Sequence, residues 1–363
     1  MRVLEMITPS RIGGAEMSLL STVRALEASG DEVTVFCPSG RPIVNWLKRN
    51  GINPVTWTTW GKFDPATVLR LTRLMRERRI DVVHTHLSTA GLLGALAAKR
   101  AGIPSVATIH GFNSVDCYQF TTRLVAVSQA VKEHLVALKM PASKIDVVHQ
   151  GIDTNRFVPI PLIRAKRQFG YSFAQPRIGV FGGISAVYGQ DLALQALARI
   201  VAQIHDVQLM IVGDGEDREQ LEARAQTLPL KGHVEFLPFT EKAHELMSAC
   251  DIVLAPSRKE GFSIAALSGM ALARPVIVSN CGGLAEMVPH GRVGLRVQAN
   301  DVPALAEAML MLLRMPERAA AMGKAGRQLV EECFDIDQQT PYLRQVMRTA
   351  TLCNIGVAPE FGM

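Results

Sequence analysis

Short runs of aliphatic and β-branched residues alternate with amphipathic stretches from the first residue of the chain. Val3–Thr8 reads as a strand, Ala15–Ala28 as a helix and Val33–Cys37 as a strand. Asp81–Thr85 and Ser105–Ile109 are further strands, with a helix from about Ala90 to Ala101 between them. This rhythm predicts an α/β fold with a parallel, doubly wound sheet, helices on both faces and right-handed crossovers. It breaks at GIDTNRFVPIPLIR, Gly151–Arg164, whose two prolines and weak periodicity suit a linker. A second series then begins. Arg177–Phe181, Gln208–Val212, Val234–Leu237, Ile252–Ala255 and Val276–Ser279 read as strands, Gln190–Gln203 and Asp217–Ala225 as helices. Two Rossmann-like domains follow, residues 1–158 and 159–335. Helices close the chain at Val302–Leu313, Glu317–Glu332 and Ile336–Ala350; the last, about residues 336–353, is expected to return across the linker, and residues 354–363 form a tail.

Composition narrows the classes. With 363 residues, two domains are the natural expectation. Apolar residues at 48% and charged ones at 20% are enough for real cores and exclude a disordered chain. A net charge of +6 favours anionic partners such as phosphates or phospholipid headgroups. Nucleic acid is disfavoured, because the basic residues are spread out, aromatics are 6% and no recognised module occurs. Cys37, Cys117, Cys250, Cys281, Cys333 and Cys353 stand singly, without C-x-x-C or zinc-ligand spacing. That pattern reads as reduced thiols in a cytosolic protein, with no metal site. MRVLEMIT is too short and too soon interrupted for a signal peptide, and no apolar run approaches the ~20 residues of a membrane span.

Candidate chemistry gathers where strands end. Gly13-Gly14 follows the first strand and opens a helix, a geometry that points backbone N–H groups at an anion; a plain tight turn reads equally simply. The loop is not G-x-G-x-x-G, so dinucleotide binding is poorly supported. His110 ends a strand in ATIHGFNS, where ligands of doubly wound sheets collect and where an imidazole can donate to a sugar hydroxyl. His84 and His86 end the neighbouring strand and read as cleft lining at most. Gly182-Gly183 after a strand, with Gly189 before a helix, is a second phosphate candidate, with no Lys or Arg between Gly182 and Gly189. Asp214 and Glu216 read as capping acids. In SRKEGFSIAALSG, Glu260 sits at the carboxyl end of a strand and can accept hydrogen bonds from sugar hydroxyls, with Arg258 and Lys259 beside it. A helix starting near Ser263 would offer its positive end to an anion.

Together and in this order, these pieces resemble family 4 of the retaining glycosyltransferases. The marks are GGAE (Gly13–Glu16), TIHG around His110, LVAVSQAV near Ser128, VVHQGIDTNRF (Val147–Phe157), IVGDGEDREQLE, CDIVLAPSRKEGFS, RPVIVSNCGGLAEMV and GRVGLRV. The resemblance covers nearly the whole chain. It implies the GT-B fold, two Rossmann-like domains facing across a cleft, with a nucleotide-sugar donor on the second and an acceptor on the first. No cofactor and no metal are implied, the nucleotide-sugar being a substrate. Gly13 and Gly14 would approach the donor diphosphate, together with Glu16 of the same motif. His110 would contact the transferred sugar, Glu260 would hold its hydroxyls, and the backbone around Gly261, Phe262 and Ser263 would serve sugar or phosphate. Three family positions depart: Gly183 and Tyr188 replace the cations that neutralise the leaving group, and Ser268 replaces the second acid of Glu-x7-Glu. Gln150 replaces Asn in N-G-I-D.

The function implied is transfer of a sugar, with retained configuration, to a glycan or lipid-linked acceptor in cell-surface polysaccharide or lipopolysaccharide synthesis. The alternative is a catalytically weakened or inactive relative serving as a partner or scaffold in polysaccharide assembly. Localisation is expected to be cytoplasmic, with peripheral contact to the inner face of the membrane. PATVLRLTRLMRERRID supports that contact as a basic amphipathic helix for anionic lipid, although a solvated helix with one core stripe fits as well.

Overall fold

The computed structural model describes residues 1–354 apart from residues 10 and 228. It divides into two compact units, Met1–Gly151 with Ile336 onward, and Ile152–Asp335. Unit 1 holds strands β1 (Arg2–Ile7), β2 (Glu32–Pro38), β3 (Val55–Trp57), β4 (Val82–His86), β5 (Ser105–Ile109), β6 (Arg123–Ala126) and β7 (Ile145–Val147). They pair in the order β3-β2-β1-β4-β5-β6-β7, all parallel. Unit 2 holds β8 (Arg177–Phe181), β9 (Gln208–Val212), β10 (Val234–Leu237), β11 (Ile252–Ala255), β12 (Val276–Ser279) and β13 (Gly294–Val297), in the order β10-β9-β8-β11-β12-β13, again parallel. In each sheet the strand order reverses beside the first strand, β1 against β4 and β8 against β11. Doubly wound sheets bind ligands at the carboxyl ends of the strands at that reversal.

The strands are apolar on both faces because helices cover both. On β1, Leu4 and Met6 pack with Leu71, Met75 and Leu93, while Val3 packs on the other face with Leu343, Val346 and Met347. Each such side chain contributes about 1.5–3 kcal/mol on burial. Glu5 stands in the middle of this run and is fully buried.

The expected boundary at residue 158 lies seven residues past the observed one. The amide of Ile152 donates to the Phe334 carbonyl at 2.9 Å, and Ile152 forms a parallel bridge with Asp335. The Thr154 hydroxyl donates to the Asp335 carboxylate, and Arg327 donates to the carbonyls of Phe157 and Thr154. These bonds make the expected linker an ordered part of unit 2. The closing helix, Ile336–Asn354, belongs to unit 1 and buries Leu343, Val346, Met347 and Ala350 against Leu26, Val106 and Val125. The expected tail lies outside the described residues beyond Asn354.

The basic segment forms the helix Pro65–Glu77, whose buried residues include Leu71 and Met75. Its apolar stripe faces the unit 1 core, so the helix cannot lie on lipid by that face. Instead the preceding loop exposes Trp60 (85%) and Phe63 (88%). Asp64 fixes that loop by accepting from the backbone amides of Trp60 and Thr67 at 2.8 and 2.9 Å. Among the described residues, no helix is long and apolar enough to cross a membrane.

Candidate active site

The carboxyl ends of β4 and β5 in unit 1 carry a continuous polar chain. Glu5 receives His84 Nδ1 at 2.8 Å on one carboxylate oxygen and His86 Nε2 at 3.1 Å on the other. His84 Nε2 meets Thr108 Oγ1 at 2.7 Å, and His86 Nδ1 meets His110 Nε2 at 2.8 Å. His110 Nδ1 is hydrogen-bonded to the Gln150 amide nitrogen. Parallel register brings this about, since β1 sets Glu5 beside His84 and Ile7 beside His86. His84 and His86, expected as cleft lining at most, are each 1% exposed and line a small cavity beside Gln150 beneath the surface. His110 is only partly buried. Burial works to raise the Glu5 carboxyl, but His84 and His86 outweigh it and hold it down to about 2. Burial lowers both His86 and His110, which are therefore neutral near pH 7. The ligand-type atoms of Glu5, His84 and His86 lie within 4.8 Å of one another, a spacing a metal ion could use. The hydrogen bonds already account for them. Glu5 and Gln150 escaped the sequence reading as site residues. A single acid inside an otherwise apolar strand was the available signal.

The Gly13-Gly14 loop departs from its expectation. The helix Gly14–Ala28 begins there, but the Gly13 amide donates to Glu16 Oε2 at 2.7 Å. Glu16 is 4% exposed and burial raises its carboxyl. This helix start therefore holds a carboxylate of its own, and the Gly13 N–H is not free for a phosphate.

Unit 2 brings the glycine loop and Glu260 to the carboxyl ends of adjacent strands, β8 and β11. Gly189 has φ of +73°, and a Cβ there would stand 2.1 Å from the Pro256 carbonyl oxygen, so only glycine lets the loop approach β11. The Gln190 side chain donates from Nε2 to the Gly183 carbonyl at 2.8 Å, and Tyr188 lies in a short 3₁₀ turn just before the helix Gln190–Ile200. Gly182 is exposed. Glu260 is partly buried and accepts from the Ser257 hydroxyl at 3.3 Å and from the Gly261 amide. Burial pushes its carboxyl up to about 7 against those two donors. The Cys281 thiol, donating to the Ser257 carbonyl at 3.2 Å, is pushed up to about 11 by burial and by the Glu260 charge. Ser263 caps the helix Ile264–Ala271 by accepting from the Ala266 amide at 3.3 Å.

The expectation that Arg258 adds positive charge beside Glu260 does not hold. Its guanidinium is bound to Asp191, to the Ala186 carbonyl at 2.6 Å and to Asn300 at 2.8 Å. Lys259 is exposed on the same turn. Phe262 is 4% exposed and packs edge-on against Phe334, a core position, while Ser268 is 4% exposed within its helix. Asp214 caps no helix; it accepts from the Phe239 amide at 3.0 Å and pairs with Arg218 at 2.9 Å.

Two parallel, doubly wound units, each with a glycine loop after its first strand, match the architecture of the GT-B fold. The chain aligns with HepE from Anabaena in complex with UDP-glucose over 96% of its own length and all of that chain, with a TM-score of 0.86 at 22% identity. A sucrose-phosphate synthase from Thermosynechococcus elongatus aligns with a TM-score of 0.79 at 20% identity, over 97% of this chain and all of that one. The model described as Glycosyltransferase Family 4 matches residues 12–156, and that described as Glycosyl transferases group 1 matches residues 166–329. The chain is 30% identical to a GDP-mannose-dependent alpha-(1-6)-phosphatidylinositol monomannoside mannosyltransferase of Mycolicibacterium smegmatis, over 88% of this chain and 90% of that protein. It is 25% identical to an N-acetyl-alpha-D-glucosaminyl L-malate synthase of Bacillus anthracis, over 89% and 90%. This chain belongs to glycosyltransferase family 4.

Proposed function

We propose that the protein is a retaining glycosyltransferase that moves a hexosyl group from a nucleoside diphosphate sugar to a glycan or lipid-linked acceptor in cell-surface polysaccharide or lipopolysaccharide synthesis. The observation that carries this reading is Glu260. It sits at the strand-order reversal of the unit 2 sheet, held by Ser257 and Gly261, next to the positive end of the helix Ile264–Ala271. Such a carboxyl holds sugar hydroxyls, while the amides of Gly261, Phe262 and Ser263 and the loop from Gly182 to Gly189 take the diphosphate. In unit 1, His110 is the residue assigned to the transferred sugar, as the family resemblance implies, whereas Gly13 and Glu16, on either side of Gly14, are engaged with one another. Relatives that use GDP-mannose and a fold neighbour that binds UDP-glucose support a nucleotide-sugar donor. Catalysis by positioning and by stabilising the departing diphosphate needs no metal. Incubation with a panel of nucleotide sugars tests the reading: turnover of one supports it, and neither binding nor hydrolysis of any contradicts it.

A second reading has its own observation. Gly183, Tyr188 and Ser268 stand where a cation, a cation and an acid are expected, and Arg258 is already paired with Asp191. Loss of one donor to developing charge costs roughly 10²–10³ in rate. A protein acting as a partner in polysaccharide assembly would bind nucleotide weakly until those three residues were restored.

Contact with anionic membrane, on the cytoplasmic side, falls to the loop before the helix Pro65–Glu77. Trp60 and Phe63 are exposed there beside Lys62, and aromatic side chains next to cations suit the headgroup level of a bilayer.

A further inference from the structure

The polar chain in unit 1 has a direction, and that direction decides what His110 can do. Glu5 is fully buried and ionised, so its oxygen at 3.1 Å from His86 Nε2 requires an N–H on that nitrogen. Burial keeps His86 neutral, so its Nδ1 carries a lone pair. His110 Nε2, 2.8 Å away, must then be the donor. Burial keeps His110 neutral as well, which leaves its Nδ1 as an acceptor, and the Gln150 amide nitrogen donates to it. His84 completes the set: its Nδ1–H donates to the other Glu5 oxygen at 2.8 Å, and its Nε2 lies 2.7 Å from the Thr108 hydroxyl.

The surroundings of Gln150 accommodate this polarity. With its nitrogen committed to His110, Gln150 is 6% exposed and its Oε1 is buried with no protein partner. Gln150 lines a cavity of about 30 Å³, together with Ser18, Thr22, His86, Gln339 and Thr340. That volume admits a water molecule, and the lining offers it several polar partners. Turning the Gln150 amide over would instead present its oxygen to Nδ1 and require every donor in the chain to reverse, ending with a bare His86 nitrogen against the Glu5 carboxylate.

We propose that Glu5 is a positioning residue that, through His86, fixes His110 as the Nε2–H tautomer, so that His110 Nδ1 meets its partner as a hydrogen-bond acceptor and not as a donor. This reverses the polarity expected of His110 from the sequence. A sugar hydroxyl that takes the place of the Gln150 amide donates its proton to a nitrogen whose basicity the buried carboxylate raises through two imidazoles. Electron density directed toward the sugar also favours positive charge developing on it. The inference rests on the proposed role of His110 at the transferred sugar.

The test uses the full chain with ¹⁵N-labelled histidine and long-range ¹H–¹⁵N correlation, without any donor present. Resonances are assigned by His86→Gln and His110→Gln variants. The expected result is a protonated Nε2 and an unprotonated Nδ1 on both His86 and His110. In Glu5→Gln, whose amide can donate or accept, the His110 tautomer should lose this bias, and kcat should fall roughly ten- to a hundredfold with KM little changed, the worth of a hydrogen bond to a charged group. An Nδ1–H tautomer of His110 in the unaltered protein overturns the proposal. So do His110 resonances and kcat that Glu5→Gln leaves in place. Should Glu5→Gln not fold, His86→Gln read on the His110 resonance decides in its stead. Absence of transferase activity from the unaltered protein would count against the proposed function and leave the tautomer result standing.

Discussion

Arg258 and Asp191 form a two-point ion pair, Nη1 to Oδ1 at 2.7 Å and Nη2 to Oδ2 at 2.8 Å, joining the turn after β11 to the helix after the glycine loop. The pair fixes the turn that carries Glu260. It also matches the charge of Arg258, so this residue does not replace the missing cations at Gly183 and Tyr188.

Cations added at those two positions should therefore strengthen diphosphate binding. Gly183→Arg combined with Tyr188→Lys is expected to raise the affinity for a nucleoside diphosphate by roughly tenfold or more, as charge-assisted hydrogen bonds to phosphate do. Calorimetric titration reads the change. An unaltered Kd means that another group already supplies the charge.

Glu260 should make unit 2 less stable as pH rises. Its folded-state pKa of about 7 lies above the ordinary 4.5, so between those values the unfolded chain has released a proton that the folded chain keeps. The stability that Glu260 contributes is fully present below about 4.5 and is lost as pH rises to about 7. Glu260→Gln should remove that slope from thermal melts recorded across the range. It should also flatten any inflexion near pH 7 in donor affinity. A variant melting profile parallel to that of the unaltered protein would show that burial does not perturb this carboxyl.

Glu5 acts in the opposite sense. Its folded-state pKa of about 2 lies below the ordinary 4.5, so the stability it lends unit 1 is present above about 4.5 and lost as pH falls toward 2. Urea titrations between pH 5 and pH 2.5 should show stability falling with acid, and Glu5→Gln should be less stable at pH 6 while losing that part of the acid dependence. Equal acid sensitivity of both proteins would contradict the ionised, paired state of Glu5.

Trp60 and Phe63 should matter for lipid and not for catalysis on a soluble acceptor. Replacing both by Ser removes roughly 1.5–3 kcal/mol of apolar burial at each site that enters the interface. Co-sedimentation with vesicles containing anionic phospholipid should drop about tenfold or more, and less so with neutral vesicles. Binding indifferent to the two substitutions, or to lipid charge and salt, excludes this loop as the contact.

The sequence discloses the repeating βα pattern well, because strands such as Ile252–Ala255 are buried on both faces and read as unbroken apolar runs. It conceals the three-residue strands: Val55–Trp57 and Ile145–Val147 are too short for periodicity, and sheet pairing alone defines them. The linker misleads because its order comes from hydrogen bonds to Asp335 and Arg327, nearly two hundred residues away. At the site, local pattern finds His110, Glu260 and the glycine loops, each at the end of a strand. It marks Glu5 only as a lone acid in an apolar strand and cannot connect Glu5 or Gln150 to His110, which they join through parallel register and the close of the fold, nor Asp191 to Arg258, which it claims from another strand's helix. Gly13 shows the same limit: a glycine at a helix start reads as an anion site, and only the structure reveals that Glu16 already fills it.

Calorimetric titration of the protein with UDP, GDP and ADP, and with the corresponding glucose and mannose nucleotides, tests the central claim most directly. One nucleoside diphosphate should bind with a Kd on the order of micromolar, its sugar conjugate should bind as well, and Glu260→Gln should weaken the conjugate far more than the bare nucleotide. Heats indistinguishable from dilution for every nucleotide and every conjugate would contradict it.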